Sequence, residues 1–114
     1  MHSGARMASA FALCLFACTS DLPSHVELKP AAENVEIVLD APGPGAYALI
    51  GEVTGRAAAN DVDVAEHAAQ NDLRNKAAAL GASVVTVDET LGEAVLLTGM
   101  TKVTLIGRAY RATD

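Results

Sequence analysis

Residues 60–87 read NDVDVAEHAAQNDLRNKAAALGASVVTV, and nowhere else in the 114-residue chain does a long helical pattern pass directly into a strand pattern. Val62, Ala65, Ala69, Leu73, Ala77 and Leu80 step by three or four and draw one apolar stripe down a helix of about five turns. Asn60, Asp61 and Asp63 offer acceptors to the free amides at the helix start, where negative charge is favourable. Glu66, Gln70 and Arg74 follow one another at i,i+4, as do Asp72 and Lys76, which describes a solvated face. Gly81 stands where a left-handed residue closes a helix. Residues 83–89, SVVTVDE, follow at once with β-branched Val84, Val85, Thr86 and Val87, so the helix packs its stripe on the sheet it feeds.

Working downstream, Thr90–Glu93 reads as a loop around Gly92, Ala94–Thr98 as a short strand or part of a long hairpin, and Gly99 as a turn. Residues 102–111, KVTLIGRAYR, form the last strand, with Val103, Leu105 and Gly107 on one side and Thr104, Ile106 and Arg108 on the other. Upstream, residues 35–39 (VEIVL) alternate and stop at APGPG, residues 41–45, where two prolines and two glycines cannot continue a ladder. Residues 47–54, YALIGEVT, read as the second strand, with Gly51 marking a bulge or a close backbone approach, and Arg56–Ala59 as a short connection. Gly51 and Gly55 do not make a phosphate loop, because Arg56 and Ala57 follow in place of Lys and Ser/Thr; Gly55 reads as a strand-end turn. The fold class expected is α+β: one helix on a small sheet of about four strands in the order β-β-α-β-β, after an N-terminal signal peptide and tether.

Met1–Arg6 carries a basic residue and Met7–Phe16 is an uninterrupted small and apolar run, the order of a secretory signal peptide. That run is about half of the roughly 20 residues a membrane-spanning helix needs. Leu15-Phe16-Ala17-Cys18 resembles the bacterial lipobox. The resemblance implies cleavage before Cys18, lipid on its sulfur and acylation of its freed amine, palmitate being one expected chain. The plainer alternatives are that Cys18 is one more small residue near an ordinary cleavage site, or that the segment is a mispredicted start. Several chains on one cysteine hold a protein where one chain exchanges, each buried methylene contributing about 0.8 kcal/mol. Cys18 is then an anchor and not a nucleophile. Thr19 follows it, and in lipoproteins of Gram-negative bacteria a residue other than Asp there goes with outer-membrane delivery. The organisation expected is therefore a signal peptide over 1–17, a lipidated tether over 18–33 punctuated by Pro23 and Pro30, and a small α/β domain over 34–114. Within the tether Val26 and Leu28 alternate with Glu27 and Lys29, compatible with a short edge strand.

The chain is 51% hydrophobic but holds no Trp, two Tyr and two Phe, so its core is built from Ala, Val, Leu and Ile. The net charge is −6, and loss of residues 1–17 removes Arg6, leaving seven Lys and Arg against fourteen Asp and Glu, a net of −7. None of the basic residues cluster, which argues against a nucleic-acid partner. Cys14 leaves with the signal and lipid consumes Cys18, so the mature body has no thiol for a disulfide or a cysteine metal site.

Residues 71–85, NDLRNKAAALGASVV, preceded by LIGEVTG at 49–55 and followed by GRAYR at 107–111, resemble a family of small bacterial lipoproteins of unknown function. In layout these are similar to the RcsF outer-membrane stress-sensor domain. The resemblance implies a lipid-anchored envelope protein on the outer membrane facing the periplasm. RcsF-like domains carry stabilising disulfides, and this sequence departs from them there.

Chemistry on individual residues is sparse. Asp63 and His67 sit at i,i+4, as do His67 and Asn71, a spacing that allows a helical metal pair without an evident third ligand. A lone His among polar helix-face residues, like His25 in the tether, is more often simply solvated. No nucleophile motif surrounds any Ser, so no catalytic residue is assigned and no cofactor is expected. Arg74 and Asn75 form a contact surface for a partner or, as polar helix-end residues usually do, cap and shield the helix. The function expected is a non-catalytic, lipid-anchored envelope protein acting through protein contacts, in sensing or envelope maintenance; the alternative is a weak metal- or ligand-binding accessory module resting on Asp63 and His67.

Overall fold

The computed structural model describes residues 22–43 and 45–113; the signal segment and Cys18 lie outside the described residues. A 3₁₀ turn over Pro30–Ala32 precedes β1 (Glu36–Val38), β2 (Tyr47–Ala59), α1 (Val62–Ala79), β3 (Val84–Thr86), β4 (Glu89–Val95) and β5 (Met100–Ala112). One helix thus packs on a mixed five-stranded sheet, the α+β class expected, with one strand more than about four.

The spine of the sheet is β5. It pairs antiparallel with β2 along one side, and with β3 and then β4 along the other, while β1 joins β3 in parallel. Both β2 and β3 run opposite to β5 and hence parallel to each other. Parallel strands need a crossover, and α1 supplies it. The strand that ends the decisive stretch is therefore the short second partner of a longer spine.

Three local expectations give way to pairing. Thr90–Glu93 is not a loop but the middle of β4, because Gly92 sits opposite Val103 in the ladder and the cross-strand bonds outweigh its weak strand preference. Arg56–Ala59 is not a connection but the end of β2, held opposite Thr101–Thr104, with Ala57, Ala58 and Ala59 buried. Gly55 likewise is no turn: it lies mid-strand where the helix comes closest. A Cβ there would strike the Ala69 carbonyl oxygen and lie 2.7 Å from the Leu73 amide. The residues 26–29 form no strand. Other signals hold. The β2–β5 register shifts between Leu49 and Gly51, Asp61 Oδ1 accepts from the Asp63 amide, and Gly81 and Gly99 take positive φ.

The helix buries Ala65, Ala68, Ala69, Leu73 and Ala77. With Val53, Ala57, Val85, Val103, Leu105 and Ala109 these make a core whose small side chains let helix and sheet approach closely. The ends of the expected stripe escape it: Val62 and Leu80 are 53% and 49% exposed. Among the described residues no helix is long and apolar enough to cross a membrane.

Candidate functional site

The residues singled out on α1 face the segment before β1. Side chains two apart on a helix point about 200° from each other, so Asn71 and Asn75 lie opposite Leu73. Asn75 Oδ1 accepts from the Lys29 amide at 2.9 Å and its Nδ2 donates to the Glu27 carbonyl at 2.9 Å. That pair of bonds, reaching the amide after Leu28 and the carbonyl before it, is the pattern a parallel strand makes with its neighbour. Asn71 Nδ2 donates to the Val26 carbonyl, and Arg74 donates from Nε to the Val35 carbonyl and from Nη2 to that of Glu33. The described part of the expected tether, 22–33, is thus a strap: Pro23 lies against the edge of β2, and residues 26–33 run along the side of the helix away from the sheet. Arg74 and Asn75 hold it, and the face expected to be solvated is partly covered.

Asp63 and His67 line a depression of about 490 Å³ between strap and helix, together with His25, Glu27 and Asn71. Among the described residues no three His, Cys, Asp or Glu side chains stand close enough together to hold a metal ion.

The two long edges of the sheet are treated differently. Over Thr54–Ala58 of β2 three outward backbone groups are taken: the Arg56 amide by Asp72 Oδ2 at 2.9 Å, the Thr54 carbonyl by Lys76 Nζ at 2.9 Å, and the Ala58 amide by the Pro23 carbonyl at 3.0 Å. Asp72 and Lys76 are themselves paired at 3.0 Å. On the other side all seven residues of β4 are exposed, and among the described residues no strand pairs with its outer edge. The sheet face turned away from α1 carries a second depression, of about 820 Å³, between Thr54 and Arg56 of β2, Thr104 and Ile106 of β5, and Leu91 and Val95 of β4. Above it the β4–β5 loop, residues 96–99, lifts Leu96 and Leu97 almost wholly into solvent at 92% and 99% exposure.

Gly92 gives this hairpin the local pattern of a loop, which hides the site in the sequence. The available signal was the uncharged run Ala94–Thr101, AVLLTGMT, which sets two leucines beside a turn glycine where polar residues are usual.

At the bend between β3 and β4, Asp88 accepts from Arg108 Nε at 2.8 Å and Nη2 at 3.3 Å. These hydrogen bonds hold the Asp88 carboxyl below its ordinary range and raise the Arg108 guanidinium in turn.

The family model of a domain of unknown function, DUF4156, matches residues 26–112. The chain belongs to this family. The DUF4156 match opens at Val26, whose carbonyl receives the Asn71 amide, and closes at Ala112, the last residue of β5. Residues 26–33 of the strap, the Asn71, Arg74 and Asn75 side chains that hold them, and the β4–β5 hairpin fall inside it, while Pro23 lies before it. No curated protein matches the chain.

Proposed function

We propose that this DUF4156 protein is a non-catalytic, lipid-anchored component of the bacterial cell envelope, held by Cys18 at the outer membrane on the periplasmic side and acting through contact with another envelope protein. The observation that carries the contact reading is the asymmetry of the sheet edges. One edge is closed over Thr54–Ala58 by Asp72, Lys76 and Pro23, while among the described residues no strand pairs with the outer edge of β4. Open edges are normally blunted because they recruit other chains, so an edge left open beside one carefully closed supports strand addition by an extended segment of a partner. Glu89 and Glu93 keep that edge from pairing indiscriminately. The lipobox-like Leu15–Cys18 run and the likeness to stress-sensor lipoproteins support the address.

A photo-crosslinking residue at Thr90 on β4, and another at Glu66 on the exposed side of α1, test this in intact cells. Adducts of one defined mass from Thr90 and none from Glu66 are expected; silence from Thr90, or equal adducts from both, overturns the reading. The metal-binding alternative is checked separately by metal titration of Asp63→Ala and His67→Ala, where behaviour unchanged from the parent removes it.

A further inference from the structure

We infer that the β4–β5 loop dips into the same lipid surface that holds Cys18, so that the domain stands on the membrane at two points. The inference rests on the anchored reading above, and three observations carry it.

The first is the tip itself. Leu96 and Leu97 are adjacent and are the two most exposed large apolar side chains among the described residues. No charge occurs from Ala94 to Thr101. The first charges met below the tip, Glu93 and Lys102, face each other across the ladder and pair at 3.3 Å.

The second is its backbone. A loop entering the apolar boundary must satisfy its own polar groups. Here the Thr98 and Gly99 amides both donate to the Val95 carbonyl and the Met100 amide donates to Thr98 Oγ1, whereas the Leu96 and Leu97 amides have no partner among the described residues, which keeps the tip at the hydrated headgroup boundary.

The third is position. The Pro23 carbonyl meets Ala58, Ala58 lies opposite Lys102, and Lys102 lies opposite Glu93, three residues before Leu96. Pro23 and Glu93 therefore share one end of the sheet, separated by three strand spacings, roughly 14 Å, and Leu96 lies three residues, roughly 10 Å, further out at that end. Cys18 precedes Pro23 by five residues, a reach of up to about 17 Å. A lipid on Cys18 and the leucine tip can thus meet one surface together.

Charge limits the depth. The mature chain carries −7, and Asp61 and Asp63 stand at the start of α1 at this same end, so an anionic surface does not draw the domain in. Lipid supplies the hold, and the tip, entering only as far as the headgroup boundary, sets the orientation. That orientation leaves the outer edge of β4 running up from the membrane, open to a partner.

The test uses the full-length protein, matured in cells and reconstituted in vesicles of phosphatidylethanolamine and phosphatidylglycerol. Leu97→Cys and, as reference, Glu66→Cys each carry a fluorophore, and the vesicles carry a lipid-borne quencher at the headgroup boundary. Quenching at position 97 is expected to exceed that at position 66 several-fold, and Leu96→Asp introduced beside the label is expected to abolish the excess. Equal quenching at the two positions overturns the inference, and so do disulfide-linked dimers of L97C without quenching, which would assign the tip to a second copy. The anchor is scored apart: Cys18→Ala that stays in the membrane fraction as fully as the parent removes the anchored reading, whereas loss from that fraction with no quenching difference at position 97 removes only the tip.

Discussion

Two glycines permit close approaches of main chain, Gly55 that of the helix to the sheet and Gly107 that of the end of β3 to β5. A Cβ at Gly107 would run into the Thr86 carbonyl oxygen with the Thr86 carbonyl carbon at 2.8 Å, and one at Gly55 would run into the helix backbone at Ala69. Both obstacles are main chain, so rotamer changes cannot relieve them. Gly51 has nothing within 4 Å of its would-be Cβ. Gly55→Ala and Gly107→Ala are each expected to cost about 1–3 kcal/mol, the scale of overpacking a close-fitted core, while Gly51→Ala stays within about 0.5 kcal/mol, as surface changes usually do. Urea unfolding monitored by circular dichroism measures all three; equal midpoints for the three variants would contradict the packing described. From the sequence alone Gly51 reads as an irregularity within a strand, Gly55 as a strand-end turn and Gly107 as a strand residue, and none of these readings separates the tight positions from the open one. What separates Gly55 from Gly51 is the helix above it, a contact between residues 14 or more positions apart that no local pattern carries. The same limit applies to Asn75. Its place on the polar side of α1 was legible, but its two bonds to the strap depend on a segment more than 40 residues earlier.

At the level of elements, what the sequence displayed was each element's own period: the α1 stripe, the alternation of Val103, Leu105 and Gly107, and the caps at Asp61 and Gly81. What it concealed was created by pairing. β4 has every residue exposed, so it shows no apolar alternation to read, and it is a strand because β5 lies beside it. The bend that turns β3 into β4 is also a pairing device. Ladder bonds give way there to Thr86 Oγ1, which accepts from the Arg108 amide at 3.0 Å, and to the Asp88–Arg108 fork. The Asp88 carboxyl is held below its ordinary range by Arg108, so the folded state binds its proton less readily than the unfolded chain. The stability it confers is therefore present above the ordinary aspartate value of about 3.9 and is lost as pH falls below it. Asp88→Asn is expected to lower the unfolding midpoint slightly at pH 7, as a largely exposed pair should. The gap to the parent closes as the pH is taken below about 3.9 and through the folded-state value. Thermal unfolding of both proteins across that range checks the sign; a gap that widens toward low pH would contradict it.

For the whole molecule, the strap decides where the folding unit begins. A boundary at Asn34, the natural reading of a Pro-punctuated polar stretch, leaves out the Lys29 amide and the Val26, Glu27 and Glu33 carbonyls that α1 binds, together with the Pro23 carbonyl that closes β2 and the buried Ala32. These bonds are partly exposed, and at about 0.5–1.5 kcal/mol net each their joint loss is several kcal/mol. Native proteins have only about 5–15 kcal/mol in total, and an alanine-rich core without Trp places this one low in that range. A chain beginning at Leu22 is therefore expected to unfold cooperatively, and one beginning at Asn34 to lose the sharp transition or melt at a far lower temperature. Asn75→Ala in the longer chain separates the bonds from the length of chain: it is expected to speed amide exchange at Lys29 before it changes exchange in β5. If the chain from Asn34 melts as the longer one does, the strap is a passenger. If it does not, the strap ties the chain that precedes it to the folded body, and a pull from that side is felt first at the Pro23–Ala58 bond and then at Asn71 and Asn75.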